Sequence, residues 1–131
     1  MAISNKIHKS RIYKEGISHK QDYVHRGKYG IFCLQNGVVT IRQLETTRVA
    51  LRRVLGKSCP IWIRIQPQKP VTKKSTGVRM GKGKGSFSHY IYYVKKDEMI
   101  FEIGDISASR VVKAYKLAAS KLPVRTNIIQ V

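Results

Sequence analysis

The sequence predicts an α+β fold, an antiparallel or mixed sheet with two amphipathic helices packed on it, carrying a long basic loop and an extended N-terminal arm. Three observations predict it. Short β-like runs, most of them alternating with a period of two, occur at 29–34, 61–65, 87–94, 99–103 and 124–130. Two longer stretches, 40–56 and 107–122, place apolar residues at helical spacing. Between the two groups, residues 67–86 hold prolines, glycines and cations and follow neither period. The resulting order is β-α-β, long loop, β-β-α-β, without internal repeats, and one domain of residues 28–131 accounts for it.

Residues 1–27 read as an extended basic arm. Lys6, His8, Lys9, Arg11, Lys14, His19, Lys20, His25, Arg26 and the adjoining Lys28 recur without a stable period. Such a segment is either a disordered tail or an arm that orders on RNA, and the second reading is preferred. Tyr29 to Leu34 is a short strand, and Asn36-Gly37 marks a turn. Thr40 then opens a helix. Thr40 and Gln43 form a T-x-x-Q capping box, Ile41, Leu44, Leu51, Val54 and Leu55 share one face, and Gly56 ends it. In Ile61–Ile65 the three isoleucines point one way and Trp62 and Arg64 the other. Phe87–Val94 and Met99–Ile103 are expected to pair as a hairpin around the polar turn Lys95–Glu98. Ser107 starts a second helix with Val111, Tyr115, Ala118 and Leu122 inward, Pro123 stops it, and Val124–Gln130 closes the sheet.

Composition narrows the function. The 131 residues hold 26 Lys+Arg against 7 Asp+Glu, a formal net charge of +19. Such a chain repels itself and seeks a polyanion. A membrane surface is disfavoured, because no apolar run approaches the roughly 18–20 residues of a spanning helix and the cations do not lie on one amphipathic face. Nucleic acid remains. Cys33 and Cys59 form no C-x-x-C pair and read as free thiols, and the four histidines lack metal-site spacing. No metal, cofactor or small-molecule substrate is expected. Among the acids, Asp97-Glu98 reads as turn solvation and Glu102/Asp105 as favourable charge ahead of a helix. No Ser-His or Cys-His arrangement supports catalysis.

The segment Arg79-Met80-Gly81-Lys82-Gly83-Lys84-Gly85 carries the most information. Gly77 to Lys82 is one residue short of a P-loop, and Gly83 stands where Ser or Thr would hold magnesium. G-x-G-x-G followed by a strand does not make a dinucleotide fingerprint either. Glycines interleaved with cations instead let backbone and side chains approach phosphate together, and Arg79 offers the bidentate fork that lysine lacks. Lys69, Lys73 and Lys74 extend the same positive surface. Trp62 reads as core or sheet packing, with stacking on unpaired RNA bases as the alternative; Tyr90, Tyr92 and Tyr93 are open between the two. Without RNP-type aromatics or a KH-type loop, the chain reads as a protein that recognises folded RNA by shape and phosphate.

The segments Lys57–Ile65 (K-S-C-P-I-W-I-R-I), Lys69–Thr72 (K-P-V-T), Arg79–Gly85 and Ala118–Pro123 (A-A-S-K-L-P) occur in an order that resembles the bacterial-type large-subunit ribosomal protein L-sixteen family, over about residues 27–130. The resemblance implies a structural, non-enzymatic constituent of the large ribosomal subunit with an α/β-hammerhead type fold. It implies ribosomal RNA, transfer RNA and neighbouring large-subunit proteins as partners. It also implies that Arg79, Met80, Gly81, Lys82, Gly83, Lys84 and Gly85 reach toward the peptidyl-transferase region and bound transfer RNAs. Charge and placement nominate Arg11, Arg26, Lys28, Arg42, Arg48, Arg52, Arg53, Arg64, Lys69, Lys73 and Lys74 for ribosomal RNA. Gln66 and Gln68 depart from the residues common in the family, and the arm lacks its usual Arg-rich opening. With an Ile-, Lys- and Tyr-rich composition of the kind an A+T-rich genome encodes, these departures favour a mitochondrial ribosome, with plastid and bacterial ribosomes as alternatives. A free-standing RNA-binding assembly factor or RNA chaperone is the competing function.

Overall fold

The computed structural model describes residues 23–131. Their elements, in chain order, are β1 (Tyr29–Cys33), β2 (Gly37–Thr40), α1 (Ile41–Leu55), β3 (Ile61–Ile63), β4 (Lys69–Lys73), β5 (Ser86–Val94), β6 (Met99–Ile103), α2 (Ala108–Ala119) and β7 (Thr126–Gln130). The class is α+β, as expected. The strands form two sheets rather than one: a four-stranded sheet in the order β3-β6-β1-β7 and a three-stranded sheet in the order β2-β5-β4. Every neighbouring pair is antiparallel.

The expected hairpin of 87–94 with 99–103 does not form. β5 pairs with β2 and β4, whereas β6 pairs with β1 and β3. The turn between them explains the switch. The Asp97 amide donates to the Cys33 carbonyl (2.8 Å) and the Cys33 amide to the Glu98 carbonyl (3.0 Å), so the chain is handed to β1 as it leaves β5. Glu98 is buried, accepting from the Tyr92 hydroxyl (2.6 Å) and the Lys95 amide (2.9 Å). It is an internal clamp for the turn, not a solvated charge.

The capping box of α1 is present: the Gln43 amide donates to Thr40 Oγ1 (3.2 Å) and the Thr40 amide to Gln43 Oε1 (2.9 Å). Leu44, Leu51 and Leu55 are buried with Thr47, whose hydroxyl donates to the Gln43 carbonyl (2.7 Å) and so enters the core satisfied. Ser107 precedes α2 but makes no side-chain cap, and α2 ends at Ala119, three residues before the expected Leu122. Arg110 of α2 donates to the Val54 and Leu55 carbonyls, both at 3.1 Å. It thereby satisfies orphan acceptors at the C-terminus of α1 and locks the helices together.

Val39 and Val94 from the smaller sheet share one core with Ile31, Phe101 and Ile103 from the larger sheet and with the helix residues Leu51, Leu55, Val111 and Ala118. Both cysteines are free and buried. Burial, and then the nearby Glu98 carboxylate, push the Cys33 thiol up to about 12, which makes it an inert packing residue.

Candidate nucleic-acid interface

β4 and β5 form the base of the basic loop. Lys69–Lys73 was expected to lie in an irregular loop of 67–86, but it is a strand in register with β5, from Lys69 opposite Ile91 to Lys73 opposite Ser86. Pro70 is tolerated because β4 is the edge of its sheet, where a missing N–H breaks no second ladder. The irregular part therefore shortens to residues 74–85, with both ends held by one β-ladder. Gly85 lies at the neck: a Cβ there would come within 2.7 Å of the Lys73 carbonyl carbon, so only glycine permits the two limbs to cross this closely.

Within the loop, Gly81, Lys82 and Gly83 have φ of 99°, 58° and 86°. Three consecutive left-handed residues turn the chain in a way that the two glycines accept without cost and Lys82 tolerates between them. The Lys74 ammonium donates to the Gly81 carbonyl and ties the returning limb to the outgoing one. The limbs enclose a shallow depression of about 200 Å³. No atom lies within 4 Å of where a Cβ would stand on Gly81 or Gly83, so a partner's backbone can come against the main chain there. Met80 is 99% exposed, and Arg79, Lys82 and Lys84 are exposed beside it. The loop thus presents cations, bare backbone and one apolar side chain to the exterior together.

The remaining nominated cations fall into groups. Arg42 and Arg53 lie exposed on α1, and Arg48 is paired with Glu45 one turn earlier (2.9 Å). Arg52 donates to the Lys57 carbonyl (3.1 Å) past the end of α1. The Lys69 ammonium donates to the Tyr93 hydroxyl (2.7 Å) and lies 4.3 Å from the centre of that ring, a cation–π contact at the root of the loop. Lys73 is exposed at the neck. Lys28 pairs with Asp105 at 3.0 Å. Arg11 lies outside the described residues, as do His8 and His19.

Arg64 is placed differently from the others. Its guanidinium binds Glu102, and only 16% of its side chain is exposed. Glu102 is fully buried in β6 and was not recognised from the sequence as more than a charge ahead of α2. It accepts the amides of His25 (3.2 Å), Arg26 (2.7 Å) and Gly27 (3.1 Å) in addition to Arg64. Burial alone would raise its carboxyl. The Arg26 and His25 amides, the Arg64 guanidinium and the Gly27 amide reverse that and hold it below the usual carboxylate range. The sequence did hold a signal: Glu102 is flanked by Phe101 and Ile103 in a strand whose five residues are all buried. A lone carboxylate in such a run needs an internal cation.

The sequence has relatives. Residues 3–129 match the family model described as ribosomal protein L16p/L10e. The chain belongs to this family. Proteins named large ribosomal subunit protein uL16 resemble it over most of its length. The one from Protochlamydia amoebophila is 39% identical over 115 residues, 88% of this chain and 83% of the relative. The one from Christiangramia forsetii is 41% identical over the same shares, and that from Petrotoga mobilis is 39% identical over 88% of this chain and 82% of the relative. An L16-family chain is a structural ribosomal component and not an enzyme, which agrees with a site made of cations and glycines.

Proposed function

We propose that this chain, a structural constituent of the large ribosomal subunit by family, neutralises packed ribosomal RNA with its body and projects the 74–85 loop toward bound transfer RNA. The observation that carries this reading is the loop itself. Arg79, Lys82 and Lys84 are exposed around a left-handed Gly81-Lys82-Gly83 run whose backbone is open to the outside, and a phosphate backbone complements that surface. Arg26, Lys28, Arg42, Arg48, Arg52, Arg53, Lys69, Lys73 and Lys74 supply the contacts to ribosomal RNA, joined by Arg11 from an arm that orders on it. Arg64 contributes from inside, through the Glu102 carboxylate that also fastens the backbone of Arg26. The A+T-type composition and the departures at Gln66 and Gln68 favour a mitochondrial ribosome as its home.

The test is sedimentation followed by crosslinking. The chain should travel with large subunits once per particle and leave them at molar salt, because phosphate contacts weaken steeply as salt rises. Subunits rebuilt with Arg79→Ala and Lys82→Ala should retain the protein but lose its crosslink to transfer RNA. A chain found only in the soluble fraction at low salt sinks the structural role; an unchanged crosslink sinks the assignment of the loop. Substoichiometric presence confined to immature particles would favour the assembly-factor reading.

A further inference from the structure

Beside the buried Glu102 lies a cleft that the loop does not explain. It has a volume of about 610 Å³ and is lined by His25, Arg26, Ile61, Trp62, Ile63 and Arg64, within the range of about 300–1,000 Å³ usual for small-ligand sites. It opens along β3, the edge strand of the larger sheet. Trp62 stands opposite Glu102 in the ladder and is half-buried, so part of its indole faces the cleft. Ile63, the next residue along this edge strand, is 37% exposed. His25 and Arg26 have their backbone amides fastened to Glu102 while their side chains stay exposed at the mouth. The Tyr23 ring packs at 4.3 Å against that of His25 and extends the aromatic surface.

We propose that this cleft is a docking site for one unpaired RNA nucleotide, its base stacked on Trp62 and its phosphate held by Arg26 and His25. The proposal rests on the reading of the chain as an RNA-binding protein. Three features select this occupant. A half-buried indole on the same strand face as Arg64 and Glu102 suits the π-face of any base. The rim carries the Arg26 guanidinium, and the acid beneath it, Glu102, is fully buried and covered by four donors, so its charge is met inside the fold by Arg64. Residues 1–22 precede Tyr23 in the chain, and they hold Lys6, Lys9, Arg11, Lys14 and Lys20 against Glu15 and Asp22. A net basic segment is mismatched to a basic rim. The Glu102 clamp acquires a second role here, because it aims the backbone that carries His25 and Arg26.

Trp62 is the sole tryptophan of the chain, so its fluorescence reports on the cleft directly. The full chain is titrated at fixed salt with three RNA stem-loops, identical except for a bulged adenosine, an abasic residue at the same position, or full pairing. The bulged RNA should quench Trp62 and bind about tenfold more tightly than the abasic one, in line with stacking on an aromatic side chain. Trp62→Leu should bind the paired RNA as before and lose the preference for the bulge. The comparison among RNAs uses the unmodified chain and does not depend on that variant folding. Equal affinities with unchanged emission overturn the site, while salt-dependent binding of paired RNA leaves the general RNA-binding reading standing. If none of the three RNAs binds, that reading fails as well. A Trp62 already shielded from acrylamide in the free chain shows the cleft filled by the chain's own segment, and a response to neighbouring subunit proteins alone makes it a protein-docking site; either outcome overturns the proposal.

Discussion

The loop at 74–85 and the clamp around Glu102 use the same materials in opposite ways. Both join cations to glycines and bare main chain. At Glu102 the cation is Arg64, the main chain is that of residues 25–27, and a buried carboxylate gathers them. In the loop Arg79 and Lys82 are exposed and have no carboxylate within ion-pair reach among the described residues. The difference teaches how to sort the cations of a strongly basic chain. A cation drawn inside by a carboxylate maintains the fold, and one left outside awaits a polyanion. Seven acids cannot pair 26 cations, so most of the charge must be compensated from outside the chain.

The largest effect should come from the clamp. Glu102→Ala leaves the Arg64 guanidinium and three amides without their acceptor, and breaking a buried pair from one side costs about 3–5 kcal/mol. Chemical denaturation reads that loss directly; a variant as stable as the parent would show that the clamp is ornamental and erase the contrast with the loop. Acid should act on the same group. The folded Glu102 carboxyl is held below its ordinary value, so its contribution is fully present above the unfolded value of about 4.3 and is lost as pH falls through the lower, folded value. Stability of the parent should therefore drop on acidification more steeply than that of Glu102→Gln.

Substitution in the loop should leave the fold alone and change binding. Arg79→Ala with Lys82→Ala should shift unfolding by no more than about 0.5 kcal/mol, as for exposed positions without internal partners. The same pair should reduce the dependence of RNA affinity on salt by about 0.7–0.9 in log–log slope for each phosphate contact removed. Titrations at several salt concentrations beside a melting curve give both numbers. Destabilisation comparable to Glu102→Ala would place these cations in the fold, and an unchanged slope would leave them without phosphate contacts.

What was legible in the sequence follows the same division between local and distant causes. α1 was legible from Thr40 to Gly56 because its cap, its apolar face and its stop are all written within the segment. β4 was not, because Lys69-Pro70-Val71-Thr72-Lys73 has a proline and no period, and only its partner β5 makes it a strand. β2 hid behind Asn36-Gly37, a turn signal that the strand begins inside. The split into two sheets depends on Cys33 capturing the 95–98 turn, a contact across more than sixty positions in sequence. The loop announced itself, since its composition excludes a core. Arg64 looked like any other cation, because its carboxylate lies 38 positions away and only the folded chain brings them together.

The smallest effect tests whether pairing or burial makes a cation structural. Lys28 and Asp105 form an ion pair at 3.0 Å, yet 41% and 78% of their side chains are exposed. Water and salt screen such a pair, and holding two mobile side chains together offsets much of its attraction. The Lys28 ammonium is raised above its ordinary value by the hydrogen bond and charge of Asp105, which records proximity and not strength. Asp105→Asn should therefore leave the melting temperature indistinguishable from that of the parent at physiological salt, and it should slightly strengthen RNA binding by releasing Lys28 to a phosphate. A melting-temperature drop approaching that of Glu102→Ala would mean that an exposed partner suffices to make a cation structural. The sorting would then rest on pairing alone, and Arg48, paired with Glu45 on the surface of α1, would move from the RNA-facing group to the fold.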